Sequence, residues 1–127
     1  MKTTSYEISK KLAKAGFDVE TDFYWYCYDN GRQMRHIADA DGKGNVKAYD
    51  LETLIEALPK SITKKGSTLK NDLRIWFDQD RCYIGYQSWE GFLENATIAL
   101  QNGESLADCA GRLLLKLIEK GSLTFNN

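Results

Sequence analysis

The sequence predicts an α+β fold: an antiparallel sheet of four to five strands with three helices packed mainly on one face. Two observations carry that reading. Three stretches show the i, i+3, i+4 apolar spacing of helices that bury one stripe. Two others alternate like strands and fold back on themselves at tight-turn residues. The resulting order, α-β-β-α-β-β-(β)-α, suits an antiparallel sheet covered by helices. At 127 residues the chain fits one domain spanning residues 1–127.

The first element is a short helix. Thr4-Ser-Tyr-Glu7 reads as a capping box. Ile8, Leu12 and Ala15 share a face, and Gly16 ends the run. About three turns of helix do not persist alone, so it must dock on something. Phe23-Tyr-Trp-Tyr-Cys-Tyr28 is a strand by propensity, and Asn30-Gly31 is a strong hairpin signal. Residues 34–38 are the expected return strand. That turn would pair Trp25 with His36, Tyr26 with Arg35 and Tyr24 with Ile37. Residues 39–45 form a Gly-rich polar loop. Asp50 then caps a second helix with Leu51, Leu54, Ile55 and Leu58 on its apolar side, and Pro59 stops it. Residues 60–68 read as a connecting loop.

Leu73-Arg-Ile-Trp-Phe77 alternates and returns through Cys82-Tyr-Ile-Gly-Tyr86 after a tight turn at Gln79-Asp80. That register sets Phe77 against Cys82, Ile75 against Ile84 and Leu73 against Tyr86. The other face pairs Trp76 with Tyr83 and Arg74 with Gly85. Residues 92–100 fit a fifth strand or a helix, with the strand favoured. Residues 103–121 are the clearest helix. Ser105 caps it and Asp108 sits in its first turn. Leu106, Cys109, Ala110, Leu113, Leu114, Leu117 and Ile118 make its stripe, and Gly121 suits its left-handed end. This helix should cover the sheet face of Phe23, Trp25, Cys27, Leu73, Ile75, Phe77, Cys82 and Ile84. Ala107 and Gly111 lie off the stripe, and a glycine there suggests close backbone approach.

The formal net charge is −1, so the chain as a whole exerts no pull on nucleic acid or acidic lipid. Cys27, Cys82 and Cys109 lack C-x-x-C spacing and read as reduced packing cysteines. The opening residues lack the apolar core of a secretory leader, and no run is long enough for a membrane span. A cytoplasmic protein is expected.

Motifs for chemistry are sparse. From Asp39, the residues Asp41, Gly44, Val46 and Asp50 fall at calcium-loop positions. Lys43 and Lys47 occupy two further positions where such a loop needs oxygen, so a solvated turn is the better reading and neither metal nor cofactor is expected. His36 is the only histidine. Its expected place beside Trp25 makes it a packed side chain, not a general base. No known catalytic signature is present, and no enzyme is expected. The surface that stands out is Tyr24, Tyr26, Tyr28, Arg35, Arg74, Trp76 and Tyr83. These residues should occupy the sheet face the helices leave uncovered. Aromatics with arginine serve as interface anchors and as base-stacking platforms. They also stabilise sheets by cross-strand pairing alone.

Three segments resemble a family of small uncharacterised proteins of bacteriophages and prophage-like mobile elements. They are Ser5-Tyr-Glu-Ile-Ser-Lys-Lys-Leu-Ala-Lys-Ala-Gly-Phe17, Ala48-Tyr-Asp-Leu-Glu-Thr-Leu-Ile-Glu-Ala-Leu-Pro59 and Glu104-Ser-Leu-Ala-Asp-Cys-Ala-Gly-Arg-Leu-Leu-Leu-Lys-Leu-Ile-Glu119. The resemblance implies a mobile-element origin and one-domain organisation, with no catalytic residues to transfer. Gly103-Glu-Ser-Leu-Ala-Asp-Cys-Ala also resembles the strand-turn-helix end of antitoxins that neutralise RNA-cleaving toxins. The expected role is a protein-interaction module acting through the aromatic face, with self-association included. Single-stranded nucleic-acid binding and an antitoxin-like role are the alternatives.

Overall fold

The N-terminal helix forms where a serine can hold its first turn. The computed structural model describes residues 3–28, 31–36, 46–63 and 66–121, with backbone alone at 26–28 and 31–36. Helix α1 spans Tyr6–Lys14. Ser5 caps it, its hydroxyl accepting the Ile8 N–H at 3.3 Å. The cap is therefore one residue later than the capping box at Thr4 suggested. Thr4 has interior work instead. It is fully buried, its hydroxyl lies 2.6 Å from that of Ser9, and it accepts the Tyr49 N–H at 3.1 Å. Its carbonyl takes the Trp25 indole N–H at 3.1 Å. A hydroxyl with buried partners cannot also turn outward to cap a helix.

Strand β1 (Phe23–Tyr28) pairs with β2 (Gly31–His36) and, on its other edge, with β3 (Val46–Ala48). The β1–β2 register differs from expectation by two residues. Phe23 faces His36, Tyr24 faces Arg35 and Trp25 faces Met34. An even shift leaves every side chain on its expected face, so the alternation pattern could not distinguish the two registers. Ile37 and the calcium-loop residues Asp39, Asp41 and Lys43 lie outside the described residues. Strand β3 was not anticipated, since three residues beside a Gly-rich loop carry little periodicity.

Helix α2 (Leu51–Ala57) starts as expected at Asp50, whose carboxylate accepts the Thr53 N–H at 2.9 Å. The presumed loop after it contains a strand, β4 (Ser61–Thr63). It lies along the start of β5 (Lys70–Asp78). Strands β6 (Arg81–Ser88) and β7 (Gly91–Ala99) complete a sheet of order β4-β5-β6-β7. The β5–β6 register is the expected one: Phe77 faces Cys82, Trp76 faces Tyr83 and Ile75 faces Ile84. Gln79 and Asp80 take positive φ angles of 48° and 66°, the mirror-image turn that matches strand twist.

The fold is thus α+β, and its four-stranded antiparallel sheet fits the expectation; the remaining described strands form a second, three-stranded antiparallel sheet that was not expected. The second edge of β1 is taken by β3, so the first hairpin closes its own three-stranded sheet. Helix α3 (Leu106–Glu119) joins the parts. Ser105 accepts the Asp108 N–H at 3.1 Å, and Asp108 in turn accepts the Ser5 N–H at 2.6 Å. One core gathers Leu12 and Phe17, Tyr49, Leu54, Ile84 and Tyr86, and the α3 stripe of Cys109, Ala110, Leu113, Leu114 and Leu117. Gly111 meets α1, where an added Cβ would come within 2.7 Å of Ile8 Cγ2. No helix among the described residues is long and apolar enough to cross a membrane.

Candidate functional site

The seven residues expected to share one face do not share a sheet. Tyr24, Tyr26, Tyr28 and Arg35 belong to β1 and β2, whereas Arg74, Trp76 and Tyr83 belong to β5 and β6. Tyr24 is also not exposed. It is 4 % accessible, and its hydroxyl has no hydrogen-bond partner among the described residues. The side chains of Tyr26, Tyr28 and Arg35 lie outside the described ones.

The β5–β6 half of the expected surface is brought together. Trp76 and Tyr83 face each other across the ladder, and their rings stack with centroids 5.5 Å apart and planes 16° from parallel. Phe92, from β7, adds a third ring 5.9 Å from Trp76. Phe92 is 52 % exposed, and none of the three belongs to the core. Arg74 stands on the same face, 3.6 Å from Asp72, with both side chains exposed. Alternation also puts Lys70, Asp78 and Arg81 there, so three basic and two acidic side chains of β5 and β6 share the face.

A break in β7 explains how Phe92 joins them. Gly85 faces Thr97, yet Gln87 faces Phe92, so residues 93–96 bulge out of the ladder. Thr97 donates its hydroxyl to the Leu93 carbonyl at 2.8 Å across the bulge. Gly85 is required beneath it, because a Cβ there would lie 2.7 Å from Thr97 Cα. Sequence reasoning missed Phe92 because its segment was readable as helix or strand. The positive φ of Gly91 (119°) after Trp89-Glu90 marks the turn that would have set its place.

The opposite face of this sheet meets α3. Cys82, Ile84 and Tyr86 are buried there, and the Cys109 thiol points to the Ile98 carbonyl at 3.9 Å. The expected cover stops short of the end of β5. Ile75 is 45 % exposed and Phe77 77 %. Within this sheet, helix α3 packs mainly on β7 and β6. Phe77 instead borders an open groove of about 600 Å³ with Cys82, Leu100 and Glu104.

Beside the groove, Glu104 is clamped. Arg112 donates to both its carboxylate oxygens at 2.6 and 2.7 Å and to the Ala99 carbonyl at 2.8 Å. Burial, the largest single influence, raises the Glu104 carboxyl. The Arg112 hydrogen bonds, the Gln101 N–H and the Arg112 charge together outweigh it and hold the group below its ordinary value. Burial pushes the Cys109 thiol up to about 12, so this sulfur stays protonated at neutral pH. His36 is placed opposite Phe23 in the three-stranded sheet, whereas the buried Cys82 and Cys109 belong to β6 and α3. No group of three or more His, Cys, Asp or Glu suited to a metal ion occurs among the described residues. Comparison with protein-family models, curated proteins and solved structures returns no match.

Proposed function

We propose that this chain is a non-catalytic protein-interaction module, cytoplasmic and of mobile-element origin, that contacts a protein partner through the open face of the four-stranded sheet. The observation that carries this reading is the Trp76–Tyr83 stack, extended by Phe92, on a face outside the core. Rings already ordered against each other lose little rotamer freedom on binding, which is what makes aromatic anchors effective. Trp89, three residues before Phe92 in the β6–β7 turn, is a further exposed aromatic side chain, 84 % accessible. The mixed charge of Lys70, Asp72, Arg74, Asp78 and Arg81 suits a protein surface better than a phosphate chain, which calls for a basic track free of carboxylates.

The test is capture of partners by wild-type protein and by a Trp76→Ala/Tyr83→Ala double variant, with circular dichroism to verify folding. Loss of a captured protein with the fold intact supports the reading. Retention of every partner rejects it. Mixed single-stranded oligonucleotides provide the competing measurement. Binding that collapses as salt rises would favour base stacking on the same rings.

A further inference from the structure

The β5 strand has an edge that the described strands cover only at its start. Strand β4 covers only its start, pairing Ser61 with Asp72 and Thr63 with Lys70. The Leu73 N–H still reaches the Lys60 carbonyl at 2.9 Å. At Pro59 the chain turns under the covered face, where its carbonyl takes the Tyr86 hydroxyl at 2.7 Å. From Arg74 to Asp78, no described strand lies alongside. The two-residue turn makes Asp78–Arg81 a hydrogen-bonded pair, so the backbone groups of Asp78, Trp76 and Arg74 point to β6. Those of Ile75 and Phe77 point outward, as that of Leu73 does.

Exposed edges are usually blunted by bulges, charge or proline. The opposite edge of this sheet follows that rule: β7 is broken at residues 93–96 and carries Glu94 and Asn95, both exposed. The open part of β5, Arg74-Ile-Trp-Phe-Asp78, has no such device between its two end charges.

We infer that this edge pairs with the same edge of a second copy of the chain, antiparallel and centred on Trp76. The inference rests on reading the chain as an interaction module, but it concerns the backbone edge and not the aromatic face. The register follows from the sequence. Centring on Trp76 sets Arg74 opposite Asp78 of the copy and Ile75 opposite Phe77, and directs the outward backbone groups of Ile75 and Phe77 at each other. About four backbone hydrogen bonds then close. Centring on Ile75 would drive Asp78 onto Asp72, where β4 already sits. Centring on Phe77 would set Arg74 opposite Asp80 and Ile75 opposite Gln79, turn residues outside the strand, and leave only the Phe77 pair to close within it. In the chosen register the two sheets become continuous, and the two aromatic faces meet at Trp76.

Sedimentation across about 1–200 µM protein tests this, a range suited to a small interface. Wild type should move towards twice the monomer mass. Ile75→Pro should stay monomeric, because the lost N–H faces outward and serves no bond in the monomer. Arg74→Asp puts like charges opposite one another twice, and should weaken association about tenfold. Arg74→Asp with Asp78→Arg should restore it, which a foreign strand could not reproduce. These charge variants keep the test alive if the proline variant does not fold. A monomeric wild type overturns the inference, as does a double reversal no better than the single one. Tyr83→Ala/Phe92→Ala should leave the mass unchanged while removing a foreign partner, which separates failure of this inference from failure of the aromatic-face reading.

Discussion

At the seam between α3 and α1, Gly111 gives up its side chain so that Ile8 can approach. On the far face of the four-stranded sheet, Trp76, Tyr83 and Phe92 keep large rings and remain outside the core. The first region is closed, and added or lost volume has nowhere to go. The second holds surplus apolar area that the fold does not consume. Substitutions in the closed region should therefore act on stability, and those in the open region on contact with other molecules.

The largest effect expected is from Leu114→Ala. Leu114 is fully buried in the α3 stripe and belongs to the common core. Its truncation leaves a cavity and should cost about 2–5 kcal/mol in urea unfolding. A loss below about 1 kcal/mol would mean that α3 is not the closed centre of the core. Gly85→Ala comes next. The Cβ meets the Thr97 backbone, which cannot swing aside as a side chain can, so a loss of about 1–3 kcal/mol is expected. Gly111→Ala is the informative contrast. Its close neighbour is the Ile8 side chain, and alanine gains about 1 kcal/mol of helix propensity, so its net loss should be smaller than that at Gly85.

Glu104 lies between the two regions, beside the groove at Phe77 and clamped by Arg112 on α3. The clamp holds its folded carboxyl below the value of the unfolded chain, where a glutamate titrates in the ordinary carboxylate range of about 4. The stability this shift contributes is complete above the unfolded value and fades as pH falls through the folded one. Glu104→Gln should cost about 1 kcal/mol at pH 7 and flatten the acid limb of stability below about pH 4. Thermal melts of both proteins from pH 2.5 to 7 measure it. Parallel acid limbs would show that the clamp does not set the titration.

What could be read from the sequence follows the same division. The α3 stripe, its Ser105 cap and the β5–β6 register were legible because periodicity, cap and turn residues all pointed one way. Gly111 was legible because a glycine inside a helix needs a reason. The partition into two sheets was not, because it depends on β3, a three-residue strand that takes the second edge of β1. The burial of Tyr24 was missed for a related reason: alternation says which residues share a face, not whether that face is covered. The exposure of Phe77 shows the converse, since an apolar face was read correctly but the reach of the helix over it was not.

Trp76→Ala should have a small effect on stability and the largest on contact. Trp76 stacks on Tyr83 and touches Phe92, but stands outside the core. Cross-strand aromatic pairs contribute about 0.2–1 kcal/mol each, so two lost contacts should cost roughly 1 kcal/mol in urea unfolding. That is well below the loss at Leu114, although tryptophan is the larger side chain. The ratio of the two is the sharpest measure of the contrast between closed and open regions. If Trp76→Ala cost as much as Leu114→Ala, the rings would be part of the structural core, and the open face would lose its claim to be a contact surface.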